Sequence, residues 1–329
     1  MFKKTTILFT LLMVTMILPG IGLAQETWKL HDDLFSVTFP TQNEGWACGR
    51  WGTIRHTTDG GKTWQAQNSG TDLTLSAIFF VDSQNGWAVG NVGTILHTTD
   101  GGKTWGKQES PEVFYHMDVF FLTPQKGWIV SEYTQILHTQ DGGATWQVQF
   151  TDEVFKLKAI SFCDDLNGWT VGEYGFIYHT SDGGNTWVKQ GGHFGYNEES
   201  GEIEAETFLF DVVALDAKSA VAVGADGMVI QTADTGKTWQ RVPVGGRKES
   251  RFFTIAFDGN DTLVIGGVGA NLYSDDRGGS WHKIHFDPSM DYGWLYNFVH
   301  KAESKFVAVG EAGAIYLSSS PGKWDRIYY

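Results

Sequence analysis

Cysteine and proline are scarce in this 329-residue chain, at two and seven residues, and basic side chains are outnumbered, 24 Lys and Arg against 38 Asp and Glu. Two cysteines exclude a fold held by a dense disulfide framework. A net charge of −14 argues against nucleic acid as a partner, because phosphate-backbone binding works by releasing counterions through many Lys and Arg. The one long apolar run, Ile7 to Leu18, falls short of the about 20 residues that span a bilayer as a helix. What is present is a 41% hydrophobic and 14% aromatic chain, which rules out a disordered or collagen-like polymer. The length alone suggests two domains, although all-β rings run larger as single units.

The N-terminus has the pattern of an export signal. Lys3 and Lys4 precede the apolar run, Pro19-Gly20 break it, and Gly22-Leu23-Ala24 offers small residues for cleavage. Residues 1–24 are therefore expected to leave. The product would begin near Gln25 with its net charge lowered to −16, in the periplasm or outside the cell. Cys48 and Cys163 fall in the first and fourth units of the repeat described next. Units on opposite sides of a ring cannot bring Cα atoms within the about 7 Å a disulfide needs, so two separate buried thiols are expected.

Everything after residue 30 repeats. Thr57-Thr-Asp59-Gly-Gly61-Lys-Thr-Trp64 recurs at Thr98 to Trp105, Thr139 to Trp146, Thr180 to Trp187, Thr232 to Trp239 and Ser274 to Trp281, with a worn copy at Ser318 to Trp324. The Trp positions are spaced by 41, 41, 41, 52, 42 and 43 residues. Upstream of each box lies a second phrase, Gly45-Trp-Ala-Cys-Gly49, Gly86-Trp-Ala-Val-Gly90 and their relatives. Each unit contains four short runs rich in β-branched and aromatic residues between Gly, Asn and Asp clusters, the signature of strands. Four antiparallel strands in about 41 residues make one propeller blade. The chain is expected to be all-β, a single seven-bladed β-propeller over residues 25–329 with an acidic insertion near 191–206.

Asp59, Asp100, Asp141, Asp182, Asp234 and Asp276 occur once per unit, as turn chemistry would. The carboxylate and the Ser or Thr hydroxyl bond to backbone groups of their own turn, Gly supplies positive φ, and Trp covers the blade. These Asp are therefore assigned to structure, with no catalytic residue, cofactor or metal expected. The Ser/Thr-x-Asp-x-Gly-x-x-Trp box resembles the Asp-box (BNR) repeat of sialidases, sortilin-type receptors and the photosystem II stability/assembly factor family. Seven units carrying Gly-Trp-Ala-Val-Gly and His-Thr-Thr-Asp-Gly-Gly-Lys-Thr-Trp look most like the last of these, from about Trp28 to Tyr329. That resemblance implies a non-enzymatic factor that holds a membrane protein during assembly.

In a meander of strands A to D, the A–B and C–D turns share one face, and the B–C turns and D-to-A links share the other. The boxes are C–D turns. The other face carries Arg50-Trp51, Asn91-Val92, Glu132-Tyr133, Glu173-Tyr174, Ala225-Asp226, Gly267-Val268 and Glu311-Ala312, where the repeat stops repeating. Loops on a rigid frame are where binding usually sits. Of 14 Trp, only Trp51 and Trp294 are not accounted for by the repeat, and both fall on this face. The links add Tyr115, His116, Arg247, Arg251 and Tyr292. The expected binding face comprises Arg50, Trp51, Tyr115, His116, Glu132, Tyr133, Glu173, Tyr174, Arg247, Arg251, Tyr292, Trp294 and Glu311. Flat rings give contact area at low entropic cost, and arginine forks suit carboxylates.

The preferred ligand is a protein or peptide client, a membrane protein among the options, taken by a monomer; the alternatives are a carbohydrate-binding surface and a sialidase-like glycoside hydrolase. Glu132 and Glu173 on adjacent blades would be the hydrolase pair. His56, His97, His138 and His179 recur at one strand position and read as core or interblade residues. Glu198, Glu199, Glu202, Glu204 and Glu206 in the insertion lack a calcium-loop spacing and read as a solvated, mobile loop.

Overall fold

The computed structural model describes residues 32–329 apart from 199, 246–248, 291–292 and 304. The signal segment, Trp28, Arg247 and Tyr292 therefore lie outside the described residues. Seven antiparallel sheets follow one another along the chain, at 34–67, 75–108, 116–150, 157–191, 209–241, 251–283 and 295–327. This is the seven-bladed propeller expected from the repeat. The first strand of each blade touches the first strand of the next, and the first strand of blade one (Leu34–Thr38) closes on that of blade seven (Leu295–Ala302). These seven inner strands line a central channel.

Residue choice in one unit explains its packing. Trp87 follows Gly86, where a Cβ would lie 2.4 Å from the Phe80 ring of the same blade, so only glycine lets that ring lie flat on the strand. Fully buried Trp87 is sandwiched between His97 of its own blade and Phe121 of the next, with centroids 4.6 and 3.5 Å away. Its Nε1 donates to the Gly142 carbonyl in the box of the next blade, at 3.1 Å. Trp46 repeats this arrangement on His56, Phe80 and Gly101, and Trp128 stacks on Phe162. In the first three blades one aromatic thus joins neighbouring elements, and stacking adds roughly 0.5–1.5 kcal/mol to each burial. His97, His138 and His179 stack on Trp87, Trp128 and Trp169, as strand-packing residues.

Three details differ from the expectations. Cys48 is buried, but Cys163 is only half-buried beside Asp164; neither is bridged. The acidic insertion is not a loop: Phe194–Asn197 and Glu202–Ala205 pair as an antiparallel hairpin, because Tyr196 faces Ile203 and Phe194 faces Ala205 across it. Its Glu side chains at 202, 204 and 206 are nevertheless exposed. The Trp324 segment (Lys323–Ile327) is the outermost antiparallel strand of blade seven, and a further strand, His285–Asp287, runs parallel beside it. The sequence offered no period for that fifth strand.

Candidate client-binding face

The boxes close one end of the ring. In blade three, Gly143 N–H donates to Thr139 Oγ1 at 2.8 Å, while Thr139 Oγ1 and Thr145 N–H donate to Asp141 Oδ1 at 2.8 and 2.9 Å. Thr145 Oγ1 donates to Asp141 Oδ2 at 2.7 Å. The same set recurs at Asp59, Asp100, Asp182, Asp234 and Asp276. Backbone and hydroxyl donors stabilise the ionised form, so Asp100 and Asp276 are held down at about 2. A carboxylate with its acceptor sites filled this way is poorly placed for acid–base or metal chemistry.

The B–C turns close the other end, against the D-to-A links: Gly93 N–H donates to Phe114 O, and Glu132 N–H to Tyr115 O. Their backbone is left-handed at the second residue of the pair. Trp51, Val92, Tyr133, Tyr174, Asp226 and Ala312 have φ of 53, 55, 59, 55, 55 and 51°, and all but Tyr133 are followed by a positive-φ glycine. Such turns favour Asn-Gly or Asp-Gly. A β-branched Val or a Trp there costs roughly 1–2 kcal/mol in backbone strain. Trp51 is 69% exposed and Val92 61%, so burial does not offset that cost. Bulky residues thus occupy strained turns over four consecutive blades, exposed in the first three and half-buried in the fourth.

Around this arc the polar groups are ordered. Asp33 Oδ2 accepts from Arg50 Nε at 2.9 Å, and its Oδ1 accepts from Ala312 N–H at 2.8 Å, joining blades one and seven. Glu132 pairs with Lys156 at 2.8 Å, and Glu173 with Lys158 at 3.6 Å. Each Glu also accepts a backbone N–H, from Tyr115 and Lys156 respectively. The Lys156 partner holds Glu132 below the usual carboxylate range. Arg251 is exposed and lines a groove of about 490 Å³ with Glu206, Phe208 and Asp226. Glu311 is exposed, and Trp294 is 44% exposed against Phe253 and Tyr296. His116 departs from the expected face: it is fully buried, its ring nitrogens bonded to the hydroxyls of Ser131 at 2.7 Å and Ser110 at 3.1 Å. The reason is register, since His116 takes the inner-strand position that Leu34, Leu75 and Leu157 fill in other blades.

Sequence reasoning missed the channel itself. Its mouth on this face is a cavity of about 300 Å³ lined from all seven inner strands. Phe35, Phe210, Phe253 and Tyr296 form one wall, with ring contacts running from Phe210 to Phe253, Tyr296 and Phe35. Tyr115, Met117 and Lys158 stand opposite. Below them, a polar residue at the third inner-strand position accepts the backbone N–H of the next blade: Ser36 from Ile78, Asp118 from Ile160, Asp211 from Ile255, Thr254 from Phe298 and Asn297 from Val37. Lining up the inner strands shows the signal, a polar residue recurring among apolar neighbours.

Solved structures share this architecture. A structure described as YCF48 bound to D1 peptide is 19% identical, with a TM-score of 0.70 over 87% of this chain and 91% of that one. YCF48 from Cyanidioschyzon merolae is 18% identical, with a TM-score of 0.69 over 87% and 96%. A GH74 enzyme from Niastella koreensis is 12% identical, with a TM-score of 0.68 over 90% of this chain but 54% of its own. At these identities the likeness is one of fold. No curated protein matches the chain. The family model described as photosynthesis system II assembly factor YCF48 matches residues 24–112, 108–191 and 196–327, and the chain belongs to that family.

Proposed function

We propose that the protein is an exported, monomeric, non-enzymatic propeller that holds a protein or peptide client during assembly, with the B–C face as its grip. The observation that carries this reading is the run of strained, exposed Trp51, Val92 and Tyr133, continued by Tyr174. A scaffold that needed only to fold would place Asn or Gly there. Family membership and the D1 peptide bound by a YCF48 of similar fold support a protein or peptide client. Export rests on Lys3, Lys4 and the apolar run to Leu18; a mature N-terminus near Gln25 in the purified native protein is the expected result.

The hydrolase alternative is disfavoured by what the two candidate carboxylates do. Glu132 and Glu173 each pair with a lysine and accept a backbone N–H, contacts that a structural role accounts for. The test is titration of a D1-type peptide and of a glycan panel against wild type and a Trp51→Ala/Tyr133→Ala/Tyr174→Ala variant. Peptide binding lost in the variant supports the reading; glycan binding lost instead would transfer the face to sugars, and peptide binding unaffected by the variant overturns the site.

A further inference from the structure

Asp118 and Asp211 combine two properties that rarely coexist. Both belong to the inner strands and line the channel cavity, and no cation pairs with either among the described residues. Asp118 accepts only the N–H groups of Val119 and Ile160. Asp211 accepts those of Val212 and Ile255, with Thr254 beside it. The nearest basic side chain of the cavity, Lys158, gives its ammonium to Glu173 at the rim. Acidic side chains taken out of bulk water are normally matched by a positive charge. These carboxylates keep unused lone pairs, two or so each after their backbone bonds, and open onto a space walled by Phe35, Phe210, Phe253 and Tyr296.

From this we propose that the channel mouth is a socket for an alkylammonium group, the lysine side chain of the client held by the face above. The assignment rests on the client-binding reading and adds to it what the client must present. A lysine side chain matches the cavity in both halves: its methylene stem lies along the aromatic wall and its ammonium reaches the carboxylates. The rings also favour a cation over their faces. About 300 Å³ leaves ample room for one such side chain. Guest ammonium supplies the counter-charge that Asp118 and Asp211 lack, so binding draws protons off them. Burial pushes Asp118 up to about 6; burial, with repulsion from Asp118 added, pushes Asp211 up to about 7. The other titratable groups at the cavity are Lys158 with its partner Glu173, and the phenols Tyr115 and Tyr296; burial lowers Lys158 and raises both phenols.

Calorimetry with small probes tests this apart from client capture. The probes are a capped Gly-Lys-Gly tripeptide, its norleucine and acetyl-lysine counterparts, and free 1,5-diaminopentane. At about pH 8 the lysine peptide is expected to bind roughly tenfold or more tightly than the norleucine peptide, the scale of a hydrogen bond to a charged group. It should weaken at about pH 5, where both carboxylates are protonated. Near pH 6.5, titrations in two buffers of different ionisation enthalpy should show protons released on binding, a readout that needs no variant. Asp118→Asn with Asp211→Asn leaves one acceptor oxygen at each site for the two backbone N–H groups and should erase the preference for lysine. Equal binding of norleucine or acetyl-lysine, or no proton release, overturns the socket while leaving the face reading standing. Diamine binding without lysine-peptide binding also overturns it, in favour of a free amine.

Discussion

On the box face, six hairpins give their positive-φ positions chiefly to glycine and bind their own backbone N–H groups with Thr, Ser and Asp oxygens. On the opposite face, six turns give the same left-handed backbone to Trp, Val, Tyr, Tyr, Asp and Ala. The strands between them are the same strands, so the contrast is not imposed by the fold. One face minimises local conflict, and the other tolerates strain of roughly 1–2 kcal/mol per turn to hold bulky side chains outward. On the reading proposed above, that strain is accepted for what the side chains meet in solution.

The comparison can be broken most forcefully on the box side. Trp87→Ala removes a fully buried ring stacked between two blades and should destabilise the protein by roughly 3–5 kcal/mol in denaturant titration. A loss below about 1 kcal/mol would mean that blades are not joined there. Thr98→Val, shape-conserving, leaves the buried Gly102 N–H without its acceptor and should cost about 1–3 kcal/mol. Across the ring, Val92→Asn should do the reverse, adding about 1 kcal/mol of stability by relieving the left-handed valine while weakening client binding. Stability lost in Val92→Asn would show that the valine is needed for folding. Trp51→Ala should change stability by less than about 0.5 kcal/mol yet lower client affinity.

Acid sharpens the same contrast. Burial lowers His97 and His179, and lowers His138 to about 4 with help from Lys126. Folding therefore favours their neutral forms: their contribution is complete above the unfolded value of 6.5 and is lost as pH falls from there toward about 4. The box Asp, held low, contribute above their unfolded value of 3.8 and lose that contribution only as pH falls toward about 2. Asp118 and Asp211, held high, act oppositely, and their contribution is lost as pH rises through about 6 and 7. Asp118 and Asp211 oppose the histidines over this window, so the readout is the difference between chains: in a thermal melt series His138→Phe should lose less stability than wild type between about pH 6.5 and 4.

Much of the architecture is legible in the order of residues along the chain. The spacing of the Trp residues counts the blades, and Ser/Thr-x-Asp-x-Gly specifies its own hairpin because the side-chain bonds of its Thr or Ser and its Asp reach no further than four residues. Sequence reasoning fails wherever a residue's neighbours are distant along the chain. His116 reads as a link residue beside Tyr115, yet one step of register turns it inward onto Ser131. The glutamates of the insertion read as a loop because their apolar partners, Tyr196 and Ile203, pair across a turn that charge composition obscures. The strand His285–Asp287 finds its partner some 38 residues later, at Lys323–Asp325.

The sequence by itself determined the unit: its four strands, its stapled hairpin, its buried Trp and the number of copies. All of these depend on periodicity and on hydrogen bonds that reach only a few residues along the chain. Tertiary structure alone decided what meets at the centre. Asp118 and Asp211 are 93 positions apart and stand in different blades, and only closure of the inner strands into a ring brings both to one cavity, opposite Phe35 and Tyr296. Local chemistry can specify a blade, but the composition of a channel is a property of the ring, because each blade contributes just one strand to it.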